Sequence, residues 1–130
     1  MNIGNDTHIL LLAHGSREPG WAVPFASVRA RMRRDYPTWT IHVAYLESMA
    51  PSLADALDAA AAGGCTLLHL IPLFLGAGGH LKRDIPRVVR EAEQRHPGMR
   101  IALAPAAGES PELIEALASY AARRARHLPD

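Results

Sequence analysis

Apolar runs of strand length alternate with stretches of helical period along this chain. His8-Ile9-Leu10-Leu11-Leu12-Ala13 is a continuous apolar run, as expected of a strand buried on both faces of a sheet. A turn follows at His14-Gly15-Ser16. A first helix is predicted from about Pro19 to Arg34, because Trp21, Phe25, Val28 and Met32 form one stripe toward the sheet. Arg29, Arg31, Arg33 and Arg34 fall mostly on its solvent side, and Pro37 closes the segment. A second strand, Thr40 to Leu46, ends at Glu47. Pro51 suits the first turn of a second helix, Leu53 and Leu57 mark its buried face, and Gly63-Gly64 ends it.

A third strand, Thr66 to Leu73, opens into the flexible loop Gly76-Ala77-Gly78-Gly79-His80. Asp84 is predicted to cap the third helix, with Pro86 in its first turn. Leu81, Ile85, Val88, Val89 and Ala92 share one face of it. The fourth strand is Arg100 to Ala104. Ser110 caps a last helix that begins at Pro111 and turns Leu113, Ile114, Leu117 and Ala121 inward. From about Arg124 the chain is expected to fray. Strict alternation of four strands and four helices predicts an α/β fold: a four-stranded parallel sheet with helices on both faces and flavodoxin-like winding. One domain is expected over residues 1–130, with an ordered core over about 7–123. Right-handed crossovers place the active rim at the carboxyl ends of the strands.

Composition narrows the partners. Apolar residues at 48% and charged residues at 21% describe a chain that folds rather than one that stays disordered. A formal net charge of +1 supplies no polybasic field, so nucleic acid is not expected as a partner. With 5% aromatics, a base-stacking platform is not expected either. Cys65 is the only cysteine, which excludes an internal disulfide and a cysteine-cluster metal site, and its apolar neighbours read as core. No basic leader and no apolar run of the ~20 residues a membrane helix needs is present, so the cytoplasm is the expected location and no membrane is a partner.

The rim then carries the candidate chemistry. His14, Gly15, Ser16 and Arg17 follow the first strand, Glu47 the second, the glycine loop and His80 the third, and Glu109 the fourth. Two imidazoles and a carboxylate on one rim can bind a divalent transition metal or relay protons. The small Gly15 and Ser16 let the backbone turn sharply beside His14, and the run of Gly and Ala before His80 suits close approach or motion. His69 inside the third strand reads as a core residue, and His96 as a cation at a helix end. The loop at residues 76–79 lacks the Lys-Ser/Thr ending of a phosphate loop and follows the third strand rather than the first, which argues against nucleotide binding. A phosphatase using His14 is disfavoured because no arginine precedes that histidine.

Leu11-Leu12-Ala13-His14-Gly15-Ser16-Arg17 resembles the opening motif of the class II tetrapyrrole chelatases. Pro72-Leu73-Phe74-Leu75-Gly76-Ala77-Gly78-Gly79-His80 with Asp84-Ile85-Pro86 resembles their second motif, and Phe25, Glu47 and Pro51-Ser52-Leu53 fit the same pattern. The resemblance spans about residues 8 to 122, and the length is similar to the short CbiX/SirB type of sirohydrochlorin chelatase. It implies a chelatase-like fold, a homodimer whose halves face across a cleft, and insertion of Co2+ or Fe2+, with Ni2+ a further option, into sirohydrochlorin. It implies no organic cofactor; the divalent metal is a substrate. His14 and His80 match the family's metal-binding and proton-accepting histidines, and Glu47 a frequent third acidic position. Ser16, Arg17, Gly76, Gly78, Gly79, Lys82 and Arg83 lie in or beside the two motifs as candidate substrate-binding residues. Arg17, Lys82 and Arg83 could pair with the substrate's carboxylates. The alternative in a different class is a non-catalytic carrier of metal or tetrapyrrole, using the same histidines.

Overall fold

All four expected strands form, within two residues of their expected ends. The computed structural model describes residues 7–76 and 78–129. The strands are β1 (His8–Ala13), β2 (Thr40–Tyr45), β3 (Leu67–Pro72) and β4 (Arg100–Leu103). They make one parallel sheet in the order β2-β1-β3-β4. The helices are α1 (Val23–Asp35), α2 (Leu53–Ala62), α3 (Gly79–Arg95) and α4 (Pro111–Ala125). The 3-10 turns Pro19–Ala22 and Ala107–Glu109 lead into α1 and α4. Ala77, in the expected glycine loop, lies outside the described residues.

Side chains alternate across the sheet, so each strand serves two layers. Leu10 and Leu12 of β1 and Leu68 and Leu70 of β3 pack with Leu53 and Leu57 of α2 and Ile85, Val89 and Ala92 of α3. Cys65 belongs to this layer, as expected. The opposite face is thinner. Its buried residues are Ile9, Leu11 and Ile41, with Met32, Trp39, Val43, Ile71 and Leu73 partly covering them. Register sets Ala13 beside Tyr45 and Leu12 beside Pro72, so β1, β2 and β3 end together.

Five expectations are corrected. The stripe on α1 is shallow: no residue of α1 is buried, and Val28 is 41% exposed. Arg29, expected on the solvent side, reaches inward instead, and its Nε donates to the Ile41 carbonyl at 2.8 Å. A long side chain can cover apolar surface along its stem while its head finds a carbonyl. Pro51 is not in α2; Ser52 is the N-cap, its Oγ accepting from the Asp55 N–H at 3.1 Å, and Pro51 precedes it. Asp84 does not cap α3, which starts at Gly79 after Gly78, so Asp84 and Pro86 both lie inside it.

The fifth correction concerns α4. Of its expected inward face, Leu113 is half-buried, while Ile114, Leu117 and Ala121 are exposed. Every residue from Ile114 to Pro129 is exposed. An apolar helical stripe states that a face needs cover; it does not state which surface supplies it. The helix itself runs through Ala125, slightly past the point where fraying is expected.

Candidate active site

The carboxyl end of β1 is held by β2. Gly15 has φ +94°, and a Cβ there would overlap the Glu47 carbonyl oxygen. Only glycine permits this approach at low cost, which is why a small residue follows His14. The Glu47 N–H donates to the His14 carbonyl at 3.0 Å, and the Leu46 N–H to the Ala13 carbonyl at 3.1 Å. Ser48 then adopts a left-handed conformation, φ 63°, and the Met49 N–H closes back on the Glu47 carbonyl at 2.8 Å. A non-glycine residue there stores local strain, a feature concentrated at functional sites. The His14 imidazole is half-buried and lies against the Phe74 ring, centroids 4.7 Å apart. Phe74 is buried, so His14 has a fixed wall.

His80 comes from the first turn of α3. Its Nε2 lies 2.8 Å from Asp84 Oδ2, one helical turn on, and its side chain is 81% exposed. Arg87 approaches the other oxygen of Asp84 at 3.9 Å. His14, Glu47, His80, Asp84 and Arg87 line one cavity of about 580 Å³, with Leu53 and Ile85 among its apolar neighbours. That size falls within the usual range of small-molecule sites. The three rim residues predicted as catalytic therefore share a cavity, drawn from β1, β2 and α3.

The predicted substrate contacts are placed elsewhere. Ser16 Oγ accepts from the Glu18 N–H at 3.1 Å, closing a local turn, and Arg17 is exposed. Gly76 and Gly78 are exposed, Gly78 being the N-cap of α3 and Gly79 its first residue. Lys82 and Arg83 are exposed on α3. None of these seven lines the cavity. Asp84 and Arg87 do, and sequence reasoning passed over both. The spacing of Asp84 four residues after His80 was the available signal, once His80 is allowed to be helical.

Among the described residues no three His, Cys, Asp or Glu side chains converge as a ready-made metal cluster. His80 is occupied with Asp84, so the cavity offers two imidazoles and carboxylates around an open volume rather than a closed coordination shell.

A larger cavity, about 640 Å³, runs along the β2 edge past His8, Arg29, His42 and Tyr45. Its residues lie mostly away from the carboxyl rim. His42 lies on that edge, and its imidazole is held below the usual value, by partial desolvation against the protein first and by Arg29 next. His69 is half-buried in β3. His96 ends α3, and its Nε2 lies 2.7 Å from Asp58, which also accepts from Arg95 at 2.8 Å, clasping α3 to α2. Burial pushes the Cys65 thiol up, which makes it a poor nucleophile.

Comparisons with known proteins give this geometry a context. A sirohydrochlorin cobaltochelatase of Methanococcoides burtonii is 29% identical over 82 residues, 63% of each chain. The match thus spans less than two-thirds of that relative's length. A CbiX protein of Marinobacter aquaeolei VT8, described as a cobalamin biosynthesis protein, superposes with TM-score 0.78 at 31% identity, over 91% of this chain and 96% of that one. The sirohydrochlorin chelatase SirB of Bacillus subtilis subspecies spizizenii, solved in complex with cobalt, superposes with TM-score 0.75 at 25% identity. There the match takes 91% of this chain but 50% of SirB. The CbiX family profile itself matches residues 8–124, from the start of β1 into the last turn of α4 and across every residue that lines the histidine cavity, so the chain belongs to the CbiX family.

Proposed function

We propose that this chain is a sirohydrochlorin metal chelatase, acting as a cytoplasmic homodimer. Co2+ is the first choice of ion, Fe2+ the second and Ni2+ the third. The carrying observation is the single open cavity that collects His14, Glu47, His80 and Asp84 from three segments of the chain. Similarity to proteins named for this reaction supplies the substrate. The 50% coverage of SirB supports a pairing of two units of this size.

Insertion of M2+ into the macrocycle releases two pyrrole N–H protons and the ion's water. Charge balances because two protons leave as two positive charges enter. The imidazoles of His14 and His80 are nitrogen donors, able first to hold a borderline ion and then to accept a proton each. The ring itself supplies four nitrogens, so the protein needs few ligands, and an open site follows. Phe74 and the Gly15 turn fix His14. Asp84, 2.8 Å from His80 Nε2, orients the ring as a carboxylate behind a ligating histidine does. Glu47, at the end of β2, offers an acceptor or a third ligand.

Mixing the protein with sirohydrochlorin and Co2+ and following the absorption spectrum tests the reading, with Fe2+ and Ni2+ in parallel. Catalytic turnover above the spontaneous rate is expected. Stoichiometric binding without acceleration would leave a carrier, not a chelatase.

A further inference from the structure

Apart from its two imidazoles, the charged lining of the histidine cavity is two carboxylates, Glu47 and Asp84, and one guanidinium, Arg87. A ligand bearing several carboxylates meets like charge there and needs a cation within reach. The cations expected for that task, Arg17, Lys82 and Arg83, stand outside the cavity. Among the described residues, Arg87 is the only lysine or arginine on its wall.

Arg87 belongs to a stripe along α3. His80, Asp84, Arg87 and Glu91 follow one another at four, three and four positions, so they share one face of the helix. Arg87 Nη1 donates to Glu91 Oε1 at 3.1 Å, while its Nη2 lies 3.9 Å from Asp84 Oδ1. The first contact is a hydrogen bond and the second a looser ion pair. Glu91 is not on the cavity wall, and the side chains of Arg87 and Glu91 are 54% and 50% exposed. A pair that open holds weakly against water and salt. The guanidinium can therefore exchange Glu91 for another carboxylate at little cost, and its planar fork suits a carboxylate taken by two parallel bonds.

The spacing along the helix fits as well. A tetrapyrrole bears its carboxylates on short arms at the rim, away from the central nitrogens. A cation that binds one of them must stand off from the histidines that hold the ion. Arg87 lies seven residues beyond His80, two helical turns or about 10 Å along the axis.

We infer that Arg87 anchors a peripheral carboxylate of the tetrapyrrole, and that Glu91 holds the guanidinium until that carboxylate displaces it. The pair then sets which macrocycles bind and how the ring lies over His14 and His80. Acidic rings gain a bidentate contact, and rings without carboxylates gain nothing.

This inference rests on the chelatase reading for its substrate, so binding is measured first without metal. The chain is titrated with metal-free sirohydrochlorin and, separately, with a tetracationic N-methylpyridyl porphyrin. Arg87→Gln should weaken sirohydrochlorin binding about 10-fold and leave the cationic ring bound as before or tighter. Arg87→Lys, which keeps the charge but not the fork, should fall between. Glu91→Gln removes the competing carboxylate and should tighten sirohydrochlorin about two-fold. With Co2+ added, Arg87→Gln should raise KM for sirohydrochlorin and hold kcat within about two-fold. Unchanged affinity in Arg87→Gln overturns the anchor. So does an equal loss for both rings, which would report a change of cavity shape. A fall in kcat at unchanged affinity also overturns it, since Arg87 would then act through Asp84 on His80. Charge-selective binding without turnover keeps the anchor and sinks the chelatase; turnover with no selective loss does the reverse.

Discussion

His14 and His80 reach one cavity with opposite kinds of support. His14 sits at the end of the central strand, half-buried against Phe74, with Gly15 wedged against the backbone of Glu47. His80 rides the first turn of a helix, 81% exposed, and its one described partner is a carboxylate on its own helix. The first position is set by the fold and the second by a local pair. The proposed chelation, which brings a large flat molecule and an ion together, would benefit from one fixed and one adjustable nitrogen.

Substitutions on the two sides should therefore differ in kind. The largest structural effect is expected from Gly15→Ala. The left-handed strain and the overlap with Glu47 together should cost more than about 2 kcal/mol, lowering the melting temperature by roughly 8 °C or more. An unchanged melt would mean that the strand ends have slack, and the comparison would collapse. His80→Ala comes next: metal insertion should fall by about 100-fold or more, with the melt held within about 0.5 kcal/mol because the side chain is exposed. Undiminished insertion would remove His80 from the mechanism. His14→Ala should lose activity similarly but also about 1 kcal/mol of stability, through the lost Phe74 contact. Asp84→Asn should slow insertion about 10-fold while leaving the melt unchanged, as for other partners that orient a histidine. Full activity would make the His80–Asp84 pair incidental.

The smallest effect is a control away from the cavity. Hydrogen bonds from Arg95 and then His96 hold the Asp58 carboxyl below its ordinary value. The folded chain thus binds that proton more weakly than the unfolded chain. Its contribution is present above the ordinary carboxylate range and is lost as pH falls through it. Asp58→Asn should flatten the acid limb of the melting curve between about pH 5 and pH 3, and leave insertion at neutral pH intact. A steeper acid limb would contradict the pairing.

What the sequence revealed follows from which forces are local. Strands of a parallel sheet are buried on both faces, so β1 and β3 read directly as apolar runs, and with them the rim and His14. The start of α3 was misread because Asp84-Ile85-Pro86 has the composition of a cap followed by a first-turn proline. The real start, Gly78–Gly79, carries no side-chain cap hydrogen bond. That error placed His80 in a loop and hid its pairing with Asp84. Arg29 was misjudged because its inward hydrogen bond goes to a backbone carbonyl of β2, a long-range partner that helical periodicity does not contain. The stripe on α4 was legible, but its destination was not, since periodicity reports amphipathicity and not address.

The strand order bears on how the chain comes to have this site at all. β1 is made first yet lies at the centre, pairing with β2 on one side and β3 on the other. His8 meets Thr40 and Leu68, so the strand that carries His14 stays half-paired until a partner some 60 positions later is available. Closing that long loop is an entropic cost met before the contacts repay it, and nonlocal parallel pairing is slow for that reason. During synthesis the apolar run Ile9 to Ala13 must wait with one edge open, the condition under which strands find wrong neighbours. Refolding at low protein concentration and modest temperature should accordingly recover more active protein than rapid dilution of a concentrated stock.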